Sequence, residues 1–213
     1  MKGEDWRKRA RTLYEQAVFG GDARAVAAAE EELDGVEADL ALARGRILHA
    51  RFLEDGREDE RERALFERAV ELYRALGNPR GESEALFWVG TFHQVIRHDN
   101  DAAAPALERS YDLAVQVGDK LTQSYAVRHL GFAEMAAGRT SSARERFEES
   151  VRLRREIGFL PGVAAGLVAL AYVAAEEGRR DDALIHLEEA ASIANASDAL
   201  GIIRWVEAAQ KQL

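Results

Sequence analysis

The chain has 213 residues, a formal charge of −9, a pI near 5.2 and 47% hydrophobic residues. Its acidic balance argues against nucleic-acid binding, which draws on a basic footprint that displaces counterions from phosphates. The absence of cysteine excludes disulfides and thiolate chemistry, and no run of about 18 apolar residues is present to cross a membrane.

Ala runs such as Ala27–Ala29 and Ala102–Ala104, three prolines and scattered β-branched residues predict an all-α chain. The start, Met1–Trp6, has no apolar stretch behind it to act as a signal peptide, so a cytoplasmic location is expected. Taken in chain order, a first hairpin over residues 4–34 turns at Gly20-Gly21-Asp22. Four repeats follow, at about 35–77, 81–118, 121–158 and 161–195, and a last helix over 197–212 caps the array. This makes about eleven helices.

The repetition is most direct at Gly138 and Gly178, which are 40 residues apart in matching surroundings. Each is followed by a small residue (Ala143, Ala183), a bulky one (Phe147, Leu187) and another small one (Ser150, Ala190). An earlier copy has Val89-Gly90, Ala103, Leu107 and Ser110, with one extra residue expected in Arg97–Asp101. The copy before it is looser, with Gly45, a turn at Gly56, Phe66 and Ala69. Gly77, Gly118 and Gly158 close successive second helices, as left-handed C′ positions do. Asp22, Thr140 and Asp181 are expected to cap the helices that follow them, as Ser197 or Asp198 does for the last one. Pro79 and Pro161 suit helix starts. Pro105 implies a helix that begins late, near Ala103 or Ala104.

The paired steps Val89-Gly90, Leu130-Gly131 and Leu170-Ala171 on first helices face Ala143-Phe147-Ser150 and Ala183-Leu187-Ala190 on second helices. In this the chain resembles the tetratricopeptide repeat family, in a longer-helix variety with a period of about 40 residues. HEAT-type repeats share the period but lack this small-residue phasing. The resemblance covers residues 35–195 well and 4–34 weakly. His93, Glu134 or Ala174 stands where the family's second aromatic would be, and the terminal prolines are mostly missing.

The resemblance implies a single right-handed α-α superhelix of about five hairpins and a capping helix, whose first helices line a concave groove. By position it places Arg46, His49, Phe87, Thr91, Gln94, Tyr125, Arg128, Phe132, Met135, Val168, Tyr172 and Glu176 there. Phe132 and Tyr172 follow the small position, where an aromatic also serves as core. Arg46 and Arg128 favour contact with a partner, because a charge is rarely buried unpaired.

The sequence contains no His-Glu-x-x-His, phosphate loop, nucleophile elbow or dinucleotide fingerprint. No enzyme activity, cofactor or metal is therefore expected. His98–Asp101 lacks the spacing of a calcium loop. His93 and Glu134 occupy one repeat position in adjacent units and suggest a hydrogen bond between stacked helices. The expected function is a protein-interaction or scaffold module holding a peptide or partner protein in the groove. The alternative is a ligand- or peptide-responsive regulatory domain, favoured by the aromatic set Phe87, Tyr125, Phe132 and Tyr172. Exposed Ile202 and Trp205 would let the last helix pair with a second copy.

Overall fold

The computed structural model describes residues 6–212; the first two residues of the expected hairpin 4–34, and most of the Met1–Trp6 start, lie outside them. Among the described residues ten α-helices follow one another with no strand. They are α1 Trp6–Val18, α2 Arg24–Asp55, α3 Arg61–Ala75, α4 Pro79–Thr91, α5 Asn100–Gln116, α6 Lys120–Ala136, α7 Thr140–Glu156, α8 Leu160–Glu176, α9 Arg180–Ala196 and α10 Leu200–Gln212. Packing is densest within α2/α3, α4/α5, α6/α7 and α8/α9. Helix α4 also touches α6, and α8 touches α10, so the first helices of successive hairpins share one wall. This is the stacked, all-α array that the repetition predicts.

The spacing within each hairpin is set by an absent side chain. A Cβ placed on Gly45 would lie 2.4 Å from the Phe66 ring, on Gly90 2.6 Å from Leu107, and on Gly131 2.7 Å from the Phe147 ring. Each of those bulky partners is completely buried. The glycine lets the second helix sink its large residue against the backbone of the first, and dispersion contacts fill the gap. In the next hairpin Ala171 and Leu187 share one core cluster, a methyl group being matched by a smaller partner. Hydroxyls repeat across the same joint: Ser110 Oγ donates to the Ser83 carbonyl and Ser150 Oγ to the Ser124 carbonyl, both at 2.7 Å.

The turns follow the same period. Gly77, Gly118, Gly138, Gly158 and Gly178 all have φ between 61° and 73°. His98 and Asp198 take φ of 54° and 51° at the positions 40 residues from Gly138 and Gly158. Since His98 is in register while Gly90 and Gly131 are 41 apart, the extra residue lies between Gly90 and His98 rather than in Arg97–Asp101. It is absorbed by a π-helical turn over Phe92–Ile96, where the Arg97 N–H reaches the Phe92 carbonyl.

Four other details differ from the sequence reading. One unbroken helix, α2, replaces the two expected to meet near residue 35, which gives ten helices rather than eleven. Gly35 needs no left-handed turn, and the Ala- and Glu-rich stretch around it has no helix stop. Helix α5 starts at Asn100 and contains Pro105, because Asp99 accepts from the Ala102 N–H at 2.9 Å and fixes the first turn ahead of the proline. Asp22 does accept from the Arg24 N–H, but Thr140 and Asp181 fall inside their helices and the caps are Arg139 and Arg179. Ser197 donates to the Ile193 carbonyl, closing α9 rather than opening α10.

Two glycines of α2 should respond in opposite senses. Gly35 meets only Leu76 Cδ1 at 3.9 Å, so Gly35→Ala should stabilise the chain by about 0.5–1 kcal/mol by lowering unfolded-state entropy. Gly45→Val should destabilise it by about 1–3 kcal/mol through overpacking against Phe66. Urea denaturation of both variants checks the pair.

Candidate binding groove

The first helices bring most of the predicted groove residues together. A cavity of 590 Å³ is bounded by α2, α4, α6 and α10, with Arg46, His49, Phe87, Thr91, Tyr125 and Arg128 in its lining. An adjoining space of 280 Å³ is bounded by Arg128, Phe132, Val168, Tyr172 and Trp205. Arg128 and Trp205 line both, so the two form one trough along the inner wall. Gln94, Met135 and Glu176 line neither.

Burial divides these residues by role. Phe87 is 4% exposed and packs edge-on against Trp88 and His129, with ring centroids 5.1 and 5.2 Å away. It is chiefly core, with only an edge on the cavity. Phe132, one of the two residues expected to be ambiguous, packs edge-on with Phe147 at 5.0 Å and carries the Arg128 guanidinium over its ring at 4.5 Å. Gln94 is a joint between repeats. Its amide NH₂ donates to the His129 carbonyl at 2.9 Å and to Asn100 Oδ1 at 2.8 Å, so its oxygen accepts from His129 Nδ1 at 2.6 Å. The hydrogen bond expected between His93 and Glu134 is not formed: Gln94 and His129 link these units instead, and Glu134 pairs with Arg139. His49 is buried against Glu62 at 2.9 Å.

The electrostatics of the trough are one-sided. Of the described residues lining the larger cavity Glu84 alone is acidic, and it pairs with Arg46. Among the described residues Arg128 has no carboxylate partner: its guanidinium reaches the Ala165 carbonyl at 3.5 Å and its Nε is buried without a hydrogen-bond partner. Burial, with repulsion from Arg154 behind it, lowers the Arg128 pKa to about 9. Arg154 is itself 2% exposed and donates to the Gly162 carbonyl at 2.8 Å; burial lowers its pKa to about 10. Arg46 Nε and Thr91 Oγ1 also lack partners. Three unpaired polar atoms thus belong to side chains that line one cavity.

Several lining residues were missed: Glu84, Trp88, Thr122 and Trp205. The period locates three of them. Counting 41 back from Tyr125 and His129 reaches Glu84 and Trp88, and counting 40 twice forward from Tyr125 reaches Trp205. Reading α10 as a polar-faced cap obscured this last step. Trp205 is 49% exposed, on the groove side, while Ile202 packs on the core.

Residues 122–196 match the tetratricopeptide repeat family model. No curated protein matches the chain. Among solved structures, the MamA protein is similar over 91% of this chain and 92% of its own, at 18% identity and a TM-score of 0.44. Among the described residues no helix is long and apolar enough to cross a membrane, and no three His, Asp or Glu side chains gather as a metal site.

His129 ties the site to pH. Burial, then the charges of Arg128 and Arg154, hold its pKa well below the ordinary imidazole value. The folded chain keeps it neutral while the unfolded chain protonates it below about 6.5, so stability falls on acidification through that value. The slope approaches about 1.4 kcal/mol per pH unit for this one group. Denaturation at pH 7.5 and 5.5 should show the loss, and His129→Gln should remove its share.

Proposed function

We propose that the chain is a tetratricopeptide-repeat protein-interaction module whose concave trough holds an acidic segment of a partner protein. The observation that carries this reading is the uncompensated cation at its centre. Arg128 lines both cavities, has a buried unpaired Nε and pairs with no carboxylate among the described residues, in a chain whose formal charge is −9. Desolvating a guanidinium without a counter-ion is costly, and an incoming carboxylate offsets that cost while making charge-assisted hydrogen bonds. Trp88, Tyr125, Phe132 and Trp205 supply aromatic surface around the charge, the composition of a binding hot spot.

A second reading, a ligand-responsive regulatory domain, is favoured by one feature. Arg46 near the start of the array and Trp205 at its end line the same cavity. A small anionic ligand seated there would bridge the two ends and bias the curvature of the stack. A thermal shift with anionic metabolites, together with a smaller radius of gyration in solution scattering, would favour it over peptide binding.

The test of the main reading is a peptide array of acidic segments beside copies in which each Glu and Asp is replaced by its amide. Acidic copies should bind and quench the tryptophan fluorescence, and Arg128→Gln should weaken binding at least tenfold, about 1.4 kcal/mol. Equal binding of acidic and amide copies, or no effect of Arg128→Gln, would rule it out.

A further inference from the structure

The long helix α2 carries an apolar stripe that the other described residues leave exposed. Val26, Leu33, Leu40 and Ile47 are spaced seven residues apart and are each 40–59% exposed. Isolated exposed apolar residues are ordinary, but four in line over roughly 30 Å of helix are not. Spacing of seven is the seam of a coiled coil, since an α-helix drifts only about 20° per heptad. Helix α1 packs on the first part of α2, where Arg9 pairs with Glu32. At its far end an open cavity of 790 Å³ continues the apolar surface from Ile47 and Leu48 onto Leu65 of α3.

The charges along the stripe identify its occupant. One residue row runs beside it at the same interval: Glu30, Glu37, Arg44 and Arg51. The first half of α2 is flanked by acids and the second half by bases, the latter joined at the 790 Å³ cavity by Arg61. A parallel copy would oppose like with like. An antiparallel copy brings opposite charges together, as a self-complementary surface around a two-fold axis requires.

We infer that a second copy of this chain docks antiparallel along α2, with the two-fold axis at Leu40. In that register Leu40 meets its counterpart and Leu33 meets the partner's Ile47. Glu37 faces the partner's Arg44, and Glu30 faces the partner's Arg51. Large apolar residues fill the seam, and two ion pairs on each side of the axis select the antiparallel direction. None of Val26, Leu33, Leu40 and Ile47 lines the larger cavity of the trough, to which α2 contributes Arg46, His49 and Leu53 instead, so both troughs stay open and a dimer presents two of them with the avidity of a bivalent binder.

The test uses the full chain in sedimentation velocity and light scattering. Wild type should be a dimer, and Leu40→Glu should raise its dissociation constant at least tenfold while leaving the circular dichroism unchanged. Glu37 also pairs with Arg68 of its own chain at 2.7 Å, so Glu30 and Arg51 make the cleaner charge test. Glu30→Arg and Arg51→Glu should each weaken the dimer. An equimolar mixture of the two should recover it, because only the antiparallel heterodimer restores both pairs. A wild-type monomer at millimolar concentration would overturn the inference. So would a dimer indifferent to Leu40→Glu, or a mixture no tighter than its components.

Discussion

Everything else in this structure depends on how closely the two helices of each hairpin approach. At Gly45, Gly90 and Gly131 the first helix has no side chain where the second inserts Phe66, Leu107 or Phe147, and any Cβ there would lie at 2.4–2.7 Å. The bulky residue is fully buried because the small one is absent. That single joint fixes the separation of the two helices, and its repetition, with the bulky residues Phe66, Leu107, Phe147 and Leu187 at intervals of 40 or 41, fixes the stacking. Intrinsic helix propensity would give the helices but would not choose which faces meet.

The inner wall is a consequence of that phasing. With the glycine face of each first helix turned toward its own partner, another face is left to line the trough in every unit. Residues at equivalent positions then accumulate on one surface: Glu84, Tyr125 and Trp205 in one row, Phe87, Arg128 and Val168 in another. A repeat that holds its backbone by buried apolar pairs can carry an uncompensated guanidinium on that surface without losing its fold. Arg154 extends the point, for its cation is accommodated by the Ser124 hydroxyl, the Gly162 carbonyl and the Tyr125 ring, with no carboxylate partner among the described residues.

The repeat architecture was legible in the sequence because its signal, small against large at a fixed period, is local and recurs. Arg46, His49, Thr91, Tyr125 and Arg128 reached the trough by position alone. What was not legible depended on the third dimension. Phe87 and Arg128 occupy the same repeat position, yet one ring is drawn into the core by Trp88 and His129 while the other side chain stays at the cavity. Gln94 carried no mark of its bond to His129, since that bond crosses between units. The π-helical turn at Phe92–Ile96 was readable only from the mismatch between two spacings, 41 at Gly90–Gly131 and 40 at His98–Gly138. The continuity of α2 was missed because a boundary between hairpins was placed near residue 35, where no left-handed turn forms.

The central claim is that the small residue and the bulky residue of a hairpin act as one unit. It is tested most directly by moving one hairpin's pair into another. A double-mutant cycle of Gly131→Ala and Phe147→Leu rebuilds, in the third repeat, the Ala171–Leu187 pair of the fourth. Each single change should destabilise the chain in urea denaturation. The double variant should recover at least about 1 kcal/mol of the summed loss, the coupling expected of residues in direct contact. Losses that simply add would contradict the account, since the two positions would then contribute independently and something else would set the distance between the helices.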